Sequence, residues 1–102
     1  MSSQQTLTAI IYDRKGRVLS IGQNSYIKTH PLQALHARKV GLEHRIYLHA
    51  EIAAIVRCAD ITRAWRMQII RFGRNGQPAN AAPCAVCMSA LAATPIREID
   101  HT

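Results

Sequence analysis

Acidic residues are scarce in this chain. Six Asp and Glu face 13 Lys and Arg, leaving a formal charge of +7 and a sequence pI near 10.0. That balance attracts anions such as nucleotides, polynucleotides and acidic lipid surfaces. The cations are scattered from Arg14 to Arg97 without a dense run, so a solvated arginine-rich surface explains them equally well. Aromatic residues make up only 5%, with a single Trp, which argues against an extended base-stacking surface. No apolar run approaches the roughly twenty residues that cross a bilayer, and "MSSQQTLTAI" lacks the basic start and apolar core of a secretory signal. A soluble cytoplasmic protein is therefore expected. Charged residues at 19% against 48% hydrophobic exclude a disordered tail, and 102 residues suit one small domain spanning 1–102.

Cysteine is also sparse, at three residues, an odd number that does not suggest a disulfide framework. Two of them lie in Cys84-Ala85-Val86-Cys87, which in a reducing compartment reads as metal or redox chemistry. Cys58, in "AAIVRCA", reads as an inert thiol on a buried helix. Around these, "TLTAIIYD" (6–13) and "VLSIGQN" (18–24) flank the turn "RKGR" and predict a β-hairpin. Helices are predicted over 32–40, opened by Pro31 and closed by Gly41, and over 48–59. A strand over 67–73, an irregular loop over 74–82, a helix over 83–93 and a short strand over 96–100 complete the order β-β-α-α-β-α-β. An α/β domain follows, with helices covering a small sheet.

The chemistry concentrates in two places. "LHAEI" (48–52) puts His49 and Glu51 in an apolar run, where a lone His is ordinarily a hydrogen-bonded core residue. Cys84-x-x-Cys87 alone can serve a redox pair, a metal or nothing. A thioredoxin-like motif would follow the first strand, whereas this one comes late and after a proline. A metal explains more residues. Catalytic zinc takes three protein ligands and leaves a fourth position for water, and one imidazole with two thiolates is among its ligand sets. His49, Cys84 and Cys87 supply that set, at the predicted first turns of two helices, where the helix dipole favours thiolate. Glu51, two residues past a ligand, is then placed to move a proton without ligating.

His-x-Glu followed by Pro-Cys-x-x-Cys is the signature of zinc-dependent nucleobase deaminases, and "HAE" (49–51) and "PCAVC" (83–87) carry both halves in order. The chain resembles the cytidine and deoxycytidylate deaminase superfamily. Its segment from "GQNSYIKTHPLQ" through "LHAEIAAI" resembles the short phage-type deoxycytidylate-deaminase-like proteins, which would place it in a host cytoplasm. The resemblance implies a three-layer fold with a central mixed sheet of about four strands flanked by helices, shortened at its C-terminal end. It implies Zn²⁺ on His49, Cys84 and Cys87, with Glu51 as proton shuttle. It also implies hydrolysis of a cytosine-type base in a free nucleotide, deoxycytidylate first, by attack of zinc-activated water at C4. Asn24 matches the Gly-x-Asn whose side chain binds the pyrimidine or its sugar, although an asparagine ending a strand in a turn looks the same. The N–H groups of Ala50 and Cys84 are further base contacts by the same analogy, and Lys28 and His30 would meet a phosphate.

Two departures from relatives stand out. "ANAA" (79–82) replaces a more polar approach to the Pro-Cys motif, and the chain stops after its fourth predicted strand. An edge at "IREID" would then be covered in a homo-oligomer. Two alternatives remain open. One is a deaminase acting on cytosine in single-stranded DNA or adenosine in RNA, which the charge favours. The other is a zinc-binding module without turnover, which would have no need of Glu51.

Overall fold

The computed structural model describes residues 6–42, 47–73 and 76–102. Four strands form one mixed sheet in the order β2-β1-β3-β4, with β1 at Leu7–Tyr12, β2 at Val18–Gln23, β3 at Arg66–Arg71 and β4 at Glu98–His101. β1 pairs antiparallel with both β2 and β3, and β3 pairs parallel with β4. The helices are α1 at Pro31–Lys39, α2 at Ala50–Arg57 and α3 at Ala85–Ala92, with a short 3₁₀ turn at Ile61–Arg63 before β3. The predicted element order holds throughout. The start of the predicted loop, at 74–75, lies outside the described residues. Among the described residues no helix is long and apolar enough to cross a membrane.

Strand alternation decides which face is covered. Ala9, Ile11, Met67 and Ile69 are fully buried and share a face, as the pairs Ala9↔Ile69 and Ile11↔Met67 require. Ala50 and Ala54 of α2 and Leu91 of α3 pack into the same core cluster, so both helices cover that face. α1 joins through Ala37, which sits with Ile52 of α2 and Val86, Cys87 and Ala90 of α3 in a second cluster. The opposite face bears Ile10, Tyr12, Ile21 and Gln68, with a Tyr12 hydroxyl donating to Gln68 Oε1 at 2.8 Å. β4 is an edge strand, as expected of "IREID".

The fit of α2 on the hairpin is close because the facing residues are small. Ala50, Ala53 and Ala54 are buried, and Ser20 Oγ donates to the Ala54 carbonyl at 2.8 Å. Opposite them stands Gly22, where an added Cβ would collide with Ala54 N and lie 2.7 Å from Ala50 O. Both are backbone atoms and cannot swing aside. Gly22 thus sets the distance from β2 to the helix that carries His49 and Glu51. Gly22→Ala is expected to destabilise the fold by about 1–3 kcal/mol through overpacking, or more where the helix cannot retreat, as read by urea denaturation.

Candidate metal centre and its cleft

His49 and Cys84 sit one residue before the helices that sequence placed them in. Both are N-caps with extended backbone, φ −84°, ψ 157° for His49 and φ −77°, ψ 173° for Cys84. Their carbonyls already accept the first helical bonds, from Ala53 and Met88 at 2.9 Å each, yet neither side chain caps its own helix. A side chain at this position stands at the mouth of the helix, and both imidazole and thiol are turned toward one another. Cys87 lies one turn inside α3, fully buried.

The three donor atoms lie within 4.8 Å of one another. His49 Nδ1 is 3.2 Å from Cys87 Sγ and 3.5 Å from Cys84 Sγ. On a tetrahedral zinc ion, a nitrogen and a sulfur ligand stand about 3.6 Å apart, so both nitrogen–sulfur distances are already within a few tenths of an ångström of that value. Their chemistry fits too. A hydrogen bond from the Cys87 thiol, opposed by burial, lowers the Cys84 pKa to about 3, with help from His49. The same bond and burial raise that of Cys87, which keeps its proton. A divalent cation that displaces this proton gains two thiolates and an imidazole. Cys58, at the C-cap of α2 and not inside the helix, packs half-buried against the sheet core and is not in the group.

Glu51 is 4% exposed and begins the second position of α2. Burial raises its pKa, while its own backbone N–H, the Cys87 thiol and His49 act in the opposite direction. A carboxyl so placed exchanges a proton more readily than a solvated one at neutral pH. His49, Glu51 and Cys84 open on a cleft of about 450 Å³, whose walls include Asn24, Tyr26 and Tyr47. That volume is in the range of small-molecule sites. Asn24 Oδ1 accepts from Leu7 N–H at 2.8 Å, which fixes its amide at the cleft wall. Ala50 also lines the cleft, as does Cys84, the N-cap of α3. Lys28 and His30 are not among the lining residues. His30 Nδ1 accepts from Leu32 N–H at 3.0 Å and caps α1, and the Lys28 carbonyl accepts from Leu48 N–H at 2.9 Å.

Sequence reading missed three residues here. Gln33 is fully buried, and its Oε1 accepts the His49 N–H at 3.1 Å, which anchors the backbone of a ligand from a different helix. Nothing marks it in "PLQALHARK". Tyr26 and Tyr47, 46% and 51% exposed, flank the cleft as aromatic walls. Their only signal was that each adjoins a site motif.

Zinc analysis of the purified protein is expected to find about one equivalent per chain, as a single three-donor group requires. Cys58→Ser should keep that zinc, and Cys87→Ser should lose most of it on dialysis. Gln33→Ala should weaken retention by a smaller factor.

A family model described as the cytidine and deoxycytidylate deaminase zinc-binding region matches residues 1–100. No curated protein matches the chain. The matched region contains both cysteines of the Cys-x-x-Cys and the histidine that the fold brings to them. With nearly its whole length matched and a zinc-binding donor group assembled at two helix starts, the chain belongs to the cytidine and deoxycytidylate deaminase family.

Proposed function

We propose that the protein is a zinc-dependent hydrolytic deaminase of a cytosine-type base carried on a free nucleotide, with deoxycytidylate as substrate. The observation that carries this reading is Glu51, a buried carboxyl beside a three-donor metal group and opening on the same cleft. A structural zinc site closes its four positions with protein ligands and has no use for such a group. Zinc held by His49, Cys84 and Cys87 would supply a water of lowered pKa, and with it a nucleophile at neutral pH.

The chain's own residues do the rest. Glu51 takes a proton from the water that adds to C4 and delivers it to ring N3. It then carries the proton of the new hydroxyl to the exocyclic amine, so that the C4–N bond breaks and ammonia leaves. Water and the cytosine-type base are consumed, and the uracil-type base and ammonia are formed. Asn24, held by Leu7, presents its amide to the pyrimidine or its sugar. The N–H groups of Ala50 and Cys84, at the two helix starts, favour an electronegative ring atom or carbonyl. Tyr26 and Tyr47 give the base apolar walls. Lys28, whose peptide pairs with Leu48 at the rim, is the proposed phosphate contact, and His30 is reserved for its cap unless the nucleotide reorders this loop.

A panel of deoxycytidylate, cytidine, cytosine, single-stranded DNA and adenosine-containing RNA tests the assignment. Wild type should turn over deoxycytidylate fastest. Glu51→Ala should keep its zinc and lose about 10²–10⁴-fold in kcat, the share of a positioned acid–base group. Zinc without turnover on any member would instead indicate a binding module. Wild-type turnover by zinc-loaded Glu51→Ala would refute the proton path.

A further inference from the structure

At the end of the sheet away from the metal group is a second cleft, of about 420 Å³. Arg14, Lys15, Arg17, Arg63 and Arg97 line it, with one carboxylate, Asp13, and the chain's only tryptophan, Trp65. Five cations against one anion give this cleft a net charge of +4. Leu7 of β1 lines the catalytic cleft and Asp13 follows the other end of that strand, so about 20 Å of extended chain separates the two.

The single carboxylate is already committed. Asp13 Oδ1 accepts from the N–H groups of Lys15 and Arg17 at 2.9 and 2.8 Å, and Oδ2 accepts from Arg17 Nε at 2.9 Å and from the Arg63 guanidinium at 3.3 Å. These bonds, led by that from Arg17 N–H, hold its carboxyl below the usual range. Asp13 thereby folds the hairpin turn and aims two arginines, both half or more exposed. Among the described residues, Arg14, Lys15 and Arg97 make no ion pair. The guanidinium groups of Arg14 and Arg97 instead lie 5.0 and 5.4 Å from the Trp65 ring centre. Like charges gathered this way repel unless an anion joins them.

We infer that this cleft binds the backbone of a single-stranded nucleic acid, with Trp65 as a stacking surface for one of its bases. The distribution of the cations selects this ligand. They come from three separate segments, the hairpin turn, the 3₁₀ turn and the loop before β4, and stand around an open cleft. Spread cations beside an aromatic ring match phosphates spaced along a strand with bases between them. A compact polyphosphate would call for convergent backbone N–H groups at a helix start or a glycine-rich loop, and none of the cleft's lining residues begins an α-helix. The site is independent of which base the catalytic cleft takes.

Since Trp65 is the only tryptophan, its fluorescence reports the cleft directly. The zinc-loaded full chain is titrated with a fluorescein-labelled oligothymidylate across a salt series, following anisotropy and tryptophan emission together. The comparison is the triple variant Arg14→Gln, Lys15→Gln, Arg97→Gln, whose replaced residues make no ion pair among the described ones, with zinc content as the check on folding. Binding with quenched Trp65 emission is expected. At about 0.1 M salt the variant should bind at least ~10-fold more weakly, and its log–log salt slope should be shallower by about 2, the loss of three cations from a single-strand contact. Absence of binding at low salt, binding without a Trp65 response, or an unchanged affinity and slope in the variant would each overturn the inference. So would displacement of the oligonucleotide by inorganic tripolyphosphate at equal phosphate concentration, which would mark a polyphosphate site.

Discussion

Three donor atoms from two helices must meet within bonding distance of one ion, although His49 and Cys87 are 38 residues apart in sequence. The rest of the fold can be understood through that constraint. α2 is held on the hairpin by a row of small residues, Gly22 and Ser20 facing Ala50, Ala53 and Ala54, which leaves it little freedom to slide. α3 is held by Leu91 on the sheet core and by α1 through Ala37. α1 contributes again through Gln33, whose side chain fixes the peptide of His49. A ligand backbone tied by a buried hydrogen bond and a helix seated on a glycine are both means of keeping a site rigid before the ion arrives.

The same constraint shapes the electrostatics. Placing the ligands at helix starts puts two thiols and an imidazole where unpaired N–H groups favour negative charge. The two cysteines share their protons unequally, with Cys84 readily ionised and Cys87 protonated by its bond to Cys84 and by burial. Glu51 joins them at the second position of α2, buried, so that its charge is costly without a cation nearby. A carboxyl, a thiol proton and an imidazole packed at one spot would be a poor choice for a core and are a good one for a metal-centred reaction. At the other end of β1 the balance is reversed, with cations in excess around Asp13 and Trp65. One strand thus runs from beside a donor group that favours a cation to a cleft that favours an anion.

Much of this was legible in the residues themselves. The β-branched runs, the Gly and Pro punctuation and the "HAE" and "PCAVC" motifs gave the element order and the donor set, because both depend on local pattern. Boundaries were less legible. α2 and α3 begin at Ala50 and Ala85, two residues later than expected, since His49 and Cys84 are extended N-caps and not helical residues. Cys58 was placed inside a helix it only terminates. Gln33 was invisible because its function exists only once α1 lies beside His49. The basic cleft was hidden for a similar reason: Arg14, Arg63 and Arg97 are far apart in sequence, and only the sheet gathers them.

The function proposed for this protein depends on His49, Cys84 and Cys87 forming an open three-ligand zinc site with Glu51 beside it but not on the metal. Zinc K-edge X-ray absorption on the purified protein tests this most directly. Two sulfur scatterers at about 2.3 Å with one imidazole nitrogen and one further light atom at about 2.0 Å are expected, unchanged in Cys58→Ser and in Glu51→Gln. A closed site with three or four sulfurs, or a light-atom shell that loses a member in Glu51→Gln, would contradict it.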